Sequence, residues 1–392
     1  MNELNCMATC RLGLESVVAA ELRGLGAQEV RAKNARVDFL AAPELLARAN
    51  LWLRAADRVF LVVGEFPASS FDELFEGARA LPWEDYILKD GQFPVKGKTA
   101  KSALHSVSDC QSIVKKAVVE RLKLCYHVNW FAETGKKTVI EVGMLDDVAT
   151  LAIDASGAGL GRRGYRTLNG AAPLAETLAG ALALLARCDG TRPFLDPMCG
   201  SGTIAIEAAL CAYNVAPGLA RGFAAEEWGF LPAGVFKMER ERARALRKPQ
   251  AEEITASDID PEAVRIAKIH AKQAGVPVRF AVQDVAKRKD GRSRVTLVTN
   301  PPYGERLLDR RSCEALYAAL GRLYRAHEDW KAFVLCAHPG FEKSFGQRAD
   351  KRRKLYNAGI PCQLYQYFKQ NGQRRPNKAK EERKAHGGRT EK

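Results

Sequence analysis

Phe194-Leu195-Asp196-Pro197-Met198-Cys199-Gly200-Ser201-Gly202-Thr203 is the stretch whose reading decides the fold. Its first three residues read as a short buried strand that ends in an acid, and a glycine-bearing turn then leads into the apolar helix Ile204-Ala205-Ile206-Glu207-Ala208-Ala209-Leu210. Gly200 and Gly202 let the backbone approach a ligand closely, and the start of the helix presents free N–H groups to a carboxylate. An acid ahead of the glycines departs from the dinucleotide fingerprint and suits a ligand that also carries an ammonium group. S-adenosylmethionine is such a ligand.

Working outward, strand and helix alternate. Ile254-Thr255-Ala256-Ser257, Val278-Arg279-Phe280-Ala281, Val295 to Thr299 and Ala332 to Cys336 read as strands, with helical stretches between them, including Pro261 to Ala274. This predicts an α/β domain with a doubly wound, Rossmann-like parallel sheet. Lys354 to Asn357 and Gln363 to Phe368 are close enough to pair as a closing hairpin. Residues 211 to 253 are an insertion with Trp228, Phe230 and a charged helix around Arg240 to Arg247.

A second motif stands at the end of a later strand: Thr299-Asn300-Pro301-Pro302-Tyr303-Gly304-Glu305-Arg306. Two successive prolines forbid both helix and ladder, so the motif lies on a rigid turn at a strand's carboxyl end, where open parallel sheets bind ligands. The amide oxygen of Asn300 and the carbonyl of Pro301 can both accept from one planar amino group, and Tyr303 offers a flat face for stacking. Together they describe a site for an exocyclic amine on a flat ring. Glu305 and Arg306 are expected to shape the loop or contact the substrate.

Further acids follow the next two strands. In Ser257-Asp258-Ile259-Asp260-Pro261, Asp258 is expected to take both ribose hydroxyls of the cofactor, with Asp260 capping the helix that starts at Pro261. Asp258 stands further along the chain than the ~20 residues typical of dinucleotide folds, because the insertion intervenes. In Gln283-Asp284-Val285, Asp284 is expected to accept from the adenine amino group and the Val285 N–H to serve a ring nitrogen. Each acid alone is more often a helix cap or a surface charge; three at successive strand ends of one sheet are much harder to dismiss.

With 392 residues the chain has room for two or three domains, and its 46% hydrophobic and 27% charged residues are ordinary for a globular protein. A net charge of +15 and a pI near 9.4 favour a polyanionic partner, although RNA, DNA and lipid surfaces all qualify. The ten cysteines contain no C-x-x-C pair, and no signal peptide opens the chain, so reduced thiols, no metal and a cytoplasmic location are expected. The most apolar window, Leu174 to Cys188, is too short to cross a bilayer and reads as a buried helix.

Ahead of the doubly wound half, residues 5 to 10, Ala35 to Leu40 and Arg58 to Glu65 read as strands, and Leu14 to Leu22 and Pro43 to Leu51 as helices. Ser70 to Leu81 and Ser108 to Leu124 follow as helices, with strands at Phe93 to Val95, Thr138 to Val142 and Thr150 to Asp154. Lys96-Gly97-Lys98-Thr99-Ala100-Lys101-Ser102 reads as a polar loop whose Lys96, Lys98 and Lys101 hold phosphates or simply face solvent. In the connection Arg162-Arg163-Gly164-Tyr165-Arg166, the arginines 162, 163 and 166 bind RNA or pack the linker against the catalytic domain. The Lys/Arg-rich tail from Gln370 is expected to be disordered and to add salt-dependent affinity for RNA.

Asp196 to Thr203 and Asn300 to Tyr303 resemble motifs I and IV of the class I S-adenosylmethionine-dependent amino-methyltransferases. The whole chain is similar to the THUMP-domain RNA guanine-N2 methyltransferases, most closely the bacterial type acting on 23S rRNA. Leu12 to Ser16, Phe93 to Lys98, Arg162 to Arg166 and Ala172 to Thr177 carry that likeness jointly. It implies a ferredoxin-like domain over 1–66, a THUMP RNA-binding module over 67–155, a linker over 156–170, a class I methyltransferase domain over 171–370 and a basic tail over 371–392. It implies S-adenosylmethionine as cofactor, bound by Asp196, the turn Cys199-Gly200-Ser201-Gly202-Thr203, Asp258, Asp284, Val285 and Asn300, with Leu174 and Thr177 near its methionine end. It implies methylation of a guanine N2 at Asn300, Pro301, Pro302 and Tyr303, with 23S rRNA or a ribosome assembly intermediate as partner. A tRNA guanine-N2 enzyme, a DNA adenine-N6 enzyme, a translation-factor glutamine methyltransferase and an inactive RNA-binding relative are the alternatives. Cys199 lies in the cofactor turn and the substrate motif has no Cys, which argues against a covalent C5-pyrimidine mechanism.

Overall fold

Residues 3–168, 174–303 and 310–368 are described by a computed structural model. The amino-terminal part contains β1 (Leu4–Cys10), α1 (Glu15–Gly24), β2 (Gln28–Lys33), β3 (Arg36–Ala41), α2 (Pro43–Trp52) and β4 (Ala56–Pro67). It continues with α3 (Phe71–Arg79), β5 (Val95–Ala100), α4 (Val107–Tyr126), β6 (Ile140–Leu145) and β7 (Val148–Asp154). These strands form one seven-stranded sheet in the order β2-β3-β1-β4-β7-β6-β5. The long β4 pairs with β1 on one side and β7 on the other. The ferredoxin-like and THUMP parts therefore share one sheet and one core.

Two strands differ from expectation. β2 alternates only through Val30 and Ala32 between charged residues and is exposed along almost its whole length, too little apolar signal to mark it as a strand in the sequence. The segment Lys96 to Ala100, expected as a loop, is the edge strand β5, paired in parallel with β6. Its lysines 96 and 98 alternate outward while Val95, Gly97 and Thr99 turn inward. Gly97 makes room for α4, since a Cβ there would stand 3.0 Å from Val142 and 3.2 Å from Gln111.

The second half opens with α5 (Glu176–Leu185), β8 (Phe194–Asp196), α6 (Thr203–Ala212), α7 (Val235–Ala245), β9 (Ile254–Asp258), α8 (Pro261–Ala274) and β10 (Arg279–Val282). It closes with β11 (Thr296–Thr299), α9 (Arg310–Arg325), β12 (Lys331–Cys336), α10 (Phe341–Phe345), β13 (Lys351–Asn357) and β14 (Ile360–Tyr367). The sheet order is β10-β9-β8-β11-β12-β14-β13, parallel except for the final hairpin. This is the expected doubly wound sheet. Helix α8 shows how local signals set its limits: Asp260 accepts from the Glu262 N–H at 2.8 Å, Pro261 opens the first turn, and Gly275 ends it at φ +66°. The chain order reverses at β8, whose neighbours are β9 and β11, so the carboxyl ends of β8 and β11 flank the switch-point crevice.

The insertion buttresses the two halves. Glu239 on α7 takes two hydrogen bonds at 2.8 Å from Arg48 on α2, and Phe230 stacks on Trp228 while meeting Tyr86 edge-on. No helix among the described residues is long and apolar enough to cross a membrane.

Candidate active site

The two motifs meet at the switch point through one hydrogen bond. Thr299, the last residue of β11, donates its hydroxyl to Asp196 Oδ1 at 2.7 Å, and the Met198 N–H reaches the same oxygen at 3.2 Å. Asp196 is only 1% exposed, and its Oδ2 is buried without a hydrogen-bond partner. Burial pushes its carboxyl up to about 7 against the opposing effect of the Thr299 and Met198 bonds. A buried, half-satisfied carboxylate calls for a further donor or cation.

The turn that follows is held from the neighbouring strand. Cys199 N–H donates to the Ser257 carbonyl at 2.9 Å, and Gly200 N–H donates to Asp258 Oδ2 at 2.8 Å. The expected ribose acid thus also anchors the turn, with its Oδ1 taking the Asp260 N–H at 3.1 Å. Gly200 (φ +51°) borders open space, whereas a Cβ on Gly202 (φ +84°) would stand 2.9 Å from Ala267 and 3.2 Å from Phe280. The first glycine leaves room for a ligand and the second permits helix packing. Burial pushes the Cys199 thiol well above its ordinary value, with repulsion from Asp196 and Asp258 adding to it, so the thiol is no nucleophile.

Asp284 follows β10, accepts from the Ala286 N–H at 2.8 Å and precedes the short 3₁₀ turn Val285–Lys287. Asp196, Asp258 and Asp284 therefore close three adjacent strands on the same edge of the sheet. Sequence reading overlooked Ile259, which is 68% exposed beside Asp258 and provides an apolar plane between two acids. The available signal was a large apolar residue at a strand end where no core can follow.

At the substrate motif, Pro301 is buried, Asn300 and Tyr303 are half-buried, and the Tyr317 hydroxyl donates to the Pro302 carbonyl at 2.6 Å. No described residue donates to the Pro301 carbonyl. The Tyr303 hydroxyl donates to Asn300 Oδ1, and the ring packs against the buried core rather than standing open for stacking. Burial raises the Tyr303 hydroxyl above its ordinary value, and Cys362 and Asn357 lie within its reach. An amide oxygen has a second lone pair, so Asn300 can still accept from a base. Gly304, Glu305 and Arg306, the linker end at 169–170 with 171–173, and the basic tail lie outside the described residues.

Three expectations are corrected. Arg163 is 4% exposed and does not reach RNA: its guanidinium pairs with Glu207 at 3.3 Å and donates to the carbonyls of Leu160 and Arg54. Arg166 is tied inward, donating to Thr203 Oγ1 at 2.9 Å and the Leu174 carbonyl at 2.8 Å, with Glu176 3.4 Å away. Thr177 donates to Asp57 at 3.0 Å and belongs to the seam with the amino-terminal half. Leu174 is buried, so its carbonyl bond to Arg166 is its link to the cofactor turn. Arg162, Lys96, Lys98 and Lys101 are exposed. His270, another residue missed in the sequence, sits between the Leu168 N–H and the Ser201 carbonyl, and burial lowers its pKa.

A glycine turn, three strand-end acids and an Asn-Pro-Pro-Tyr turn on the adjoining strand define the class I methyltransferase fold. Residues 163–366 match the family described as RMKL-like, methyltransferase domain, residues 5–60 the RlmL ferredoxin-like domain, and residues 68–154 the THUMP domain. The chain belongs to the RMKL-like methyltransferase family. It is 43% identical to YpsC of Bacillus subtilis (strain 168), provisionally named an RNA methyltransferase, over 94% of this chain and 97% of that one. It is 36% identical to the ribosomal RNA large subunit methyltransferase K/L of Syntrophotalea carbinolica, over 92% of this chain and 53% of that one, so it spans about half the length of the K/L relatives. A crystal structure of SMU.472 complexed with SAH superposes with a TM-score of 0.89 at 40% identity, covering 95% and 99% of the two chains. A Listeria monocytogenes structure titled as a predicted N6-adenine-specific DNA methylase gives 0.88 at 45% identity, covering 94% and 97%.

Proposed function

We propose that this protein transfers the sulfonium methyl of S-adenosylmethionine to the exocyclic N2 of a guanine in RNA, with 23S rRNA in the cytoplasm as substrate. The observation that supports the reading is the Thr299–Asp196 bond, which ties the strand leading into Asn300 and Pro301 to a half-satisfied acid. Asp196, Gly200, Asp258, Asp284 and Val285 are suited to hold the cofactor, which supplies an activated methyl group. The guanine N2 lone pair is delocalised into the ring. Acceptors at Asn300 and Pro301 would favour a pyramidal nitrogen and stabilise the positive charge that develops there. With the cofactor bound, the methyl would pass from its sulfonium to N2 as Asn300 and Pro301 hold the amino hydrogens, and the proton released from the methylated amine would go to solvent. The THUMP part over 67–155 would position the RNA, and the catalytic part over 171–370 would perform the transfer.

The test is incubation of the purified protein with labelled S-adenosylmethionine and separate pools of rRNA and tRNA from cells lacking its gene, followed by nucleoside analysis. N2-methylguanosine in rRNA is the expected product. Label in tRNA alone would keep the chemistry and replace the substrate, and N6-methyladenine would overturn the assignment of the base.

Asp196 also predicts a pH dependence. Its folded-state pKa of about 7 lies above the ~3.9 of an unfolded aspartate, so its contribution to stability is full below about pH 4 and is lost as pH rises through 7. A ligand ammonium beside the carboxylate reverses that preference. Cofactor affinity should therefore rise between pH 6 and 8, with proton release that calorimetry detects in buffers of different ionisation enthalpy. Glu21 is also raised by burial to about 7, so the comparison requires Asp196→Asn, in which the pH dependence of binding should flatten. An unchanged profile in that variant would remove Asp196 from the cofactor site.

A further inference from the structure

We infer that the turn Arg11-Leu12-Gly13 between β1 and α1 is an RNA-contact site at the lip of the target-base site. There Leu12 packs against the base left bare when its neighbour leaves the stack. The inference rests on the RNA-methylation reading and adds a contact from the ferredoxin-like part, outside the catalytic half.

The closing hairpin brings this turn to the site. Tyr303 reaches Asn357 and Cys362, and Cys362 stands opposite Leu355 in the β13–β14 register. Gly13 lies against that same Leu355: a Cβ at Gly13 would be 3.3 Å from Leu355 Cδ2 and 2.6 Å from the Lys354 carbonyl oxygen. Directly opposed residues are about 5 Å apart. Tyr303 and the turn therefore touch neighbouring positions on one face of the hairpin.

The turn is held firmly. Arg353 donates to the Gly13 carbonyl at 3.3 Å and to Ser16 Oγ at 3.2 Å. Glu15 takes the N–H groups of Gly13 at 2.9 Å and Ala35 at 3.1 Å, and Gly13 has φ +89°. Yet Leu12 is 49% exposed, while Leu14 is fully buried. A single exposed leucine ordinarily needs no explanation. This one is held rigidly beside a motif built for a flat base.

Charge identifies the partner. Arg11 is part-exposed in the turn itself, and the part-exposed Arg353, on the same face of the hairpin as Leu355, lies beneath it, in a chain of net charge +15. An apolar side chain flanked by cations suits a nucleic-acid strand from which one base has been withdrawn, because the apolar group covers the vacated stacking face while the cations meet phosphates.

The test uses the full chain with rRNA from cells lacking its gene. Leu12→Ala should lower kcat about tenfold or more, with the KM for RNA moving less than threefold and cofactor affinity and melting temperature unchanged. Leu12→Met should restore most of the rate. Arg11→Glu should weaken RNA binding and reduce the slope of log affinity against log salt by about one contact's worth, ~0.7–0.9. Leu12→Ala at the parent rate together with an unaltered salt slope in Arg11→Glu would overturn the inference and leave the RNA-methylation reading standing. A parent chain that binds cofactor but never labels RNA would overturn both.

Discussion

Replacing Asn300 with alanine is expected to lower the rate of methyl transfer by about 10²–10³-fold, the usual effect of losing one preorganised partner for developing charge. Asn300 follows directly on the strand whose last hydroxyl holds Asp196, so its backbone position is set by β11 and by two prolines, independently of its side chain. Alanine should therefore leave the fold and the turn at Gly200 in place. Cofactor affinity should change by less than about tenfold, since Asp196, Asp258 and Asp284 lie on other strands. The loss should appear in kcat, because the amide oxygen contributes most when the nitrogen becomes pyramidal. The measurement is single-turnover transfer with cofactor binding followed in parallel. Transfer within tenfold of the parent would show that Asn300 is not the acceptor, and equal losses of transfer and cofactor binding would make it a cofactor residue.

The catalytic sheet was legible because its signals are local. Each parallel strand is a short apolar run with an acid or a turn at its end, and α8 carries its own cap, proline and terminal glycine. The hairpin of β13 and β14 could be read from two nearby β-prone runs. What remained hidden depends on partners far away in the chain. The lysines of β5 look the same in an edge strand as in a phosphate loop, and only pairing with β6, some forty residues later, separates the two. The mostly polar β2 offers only Val30 and Ala32 to read, and its place is set by β3. Arg163 shows the limit most clearly: an arginine in a glycine-containing linker carries no sign that a glutamate on α6 awaits it.

That pair makes the largest prediction for stability. The side chains of Arg163 and Glu207 are 3% and 0% exposed, and Glu207 also accepts from the Tyr165 hydroxyl at 3.1 Å. Arg54 lies alongside, donating to the carbonyls of Leu210 and Val215, and a Cβ on Gly180 would stand 3.1 Å from both Arg54 and Glu207. The site joins α2's end, the linker and α6 in a buried network. Glu207→Ala would leave the Arg163 charge and the Tyr165 hydroxyl uncompensated, at a cost of about 3–5 kcal/mol. Glu207→Gln should cost less, because it keeps an acceptor for Tyr165. The double variant Arg163→Met/Glu207→Leu should recover much of the loss, since two apolar groups can fill a site that two charges occupied. Denaturant unfolding of the three variants measures this directly. The alternative seen in the sequence, in which Arg163 binds RNA, makes the opposite forecast: Arg163→Met would leave unfolding unchanged and lower the salt dependence of RNA binding. A destabilised Arg163→Met with parental salt dependence would establish that the linker arginine joins the RNA-positioning half to the catalytic half and does not itself hold RNA.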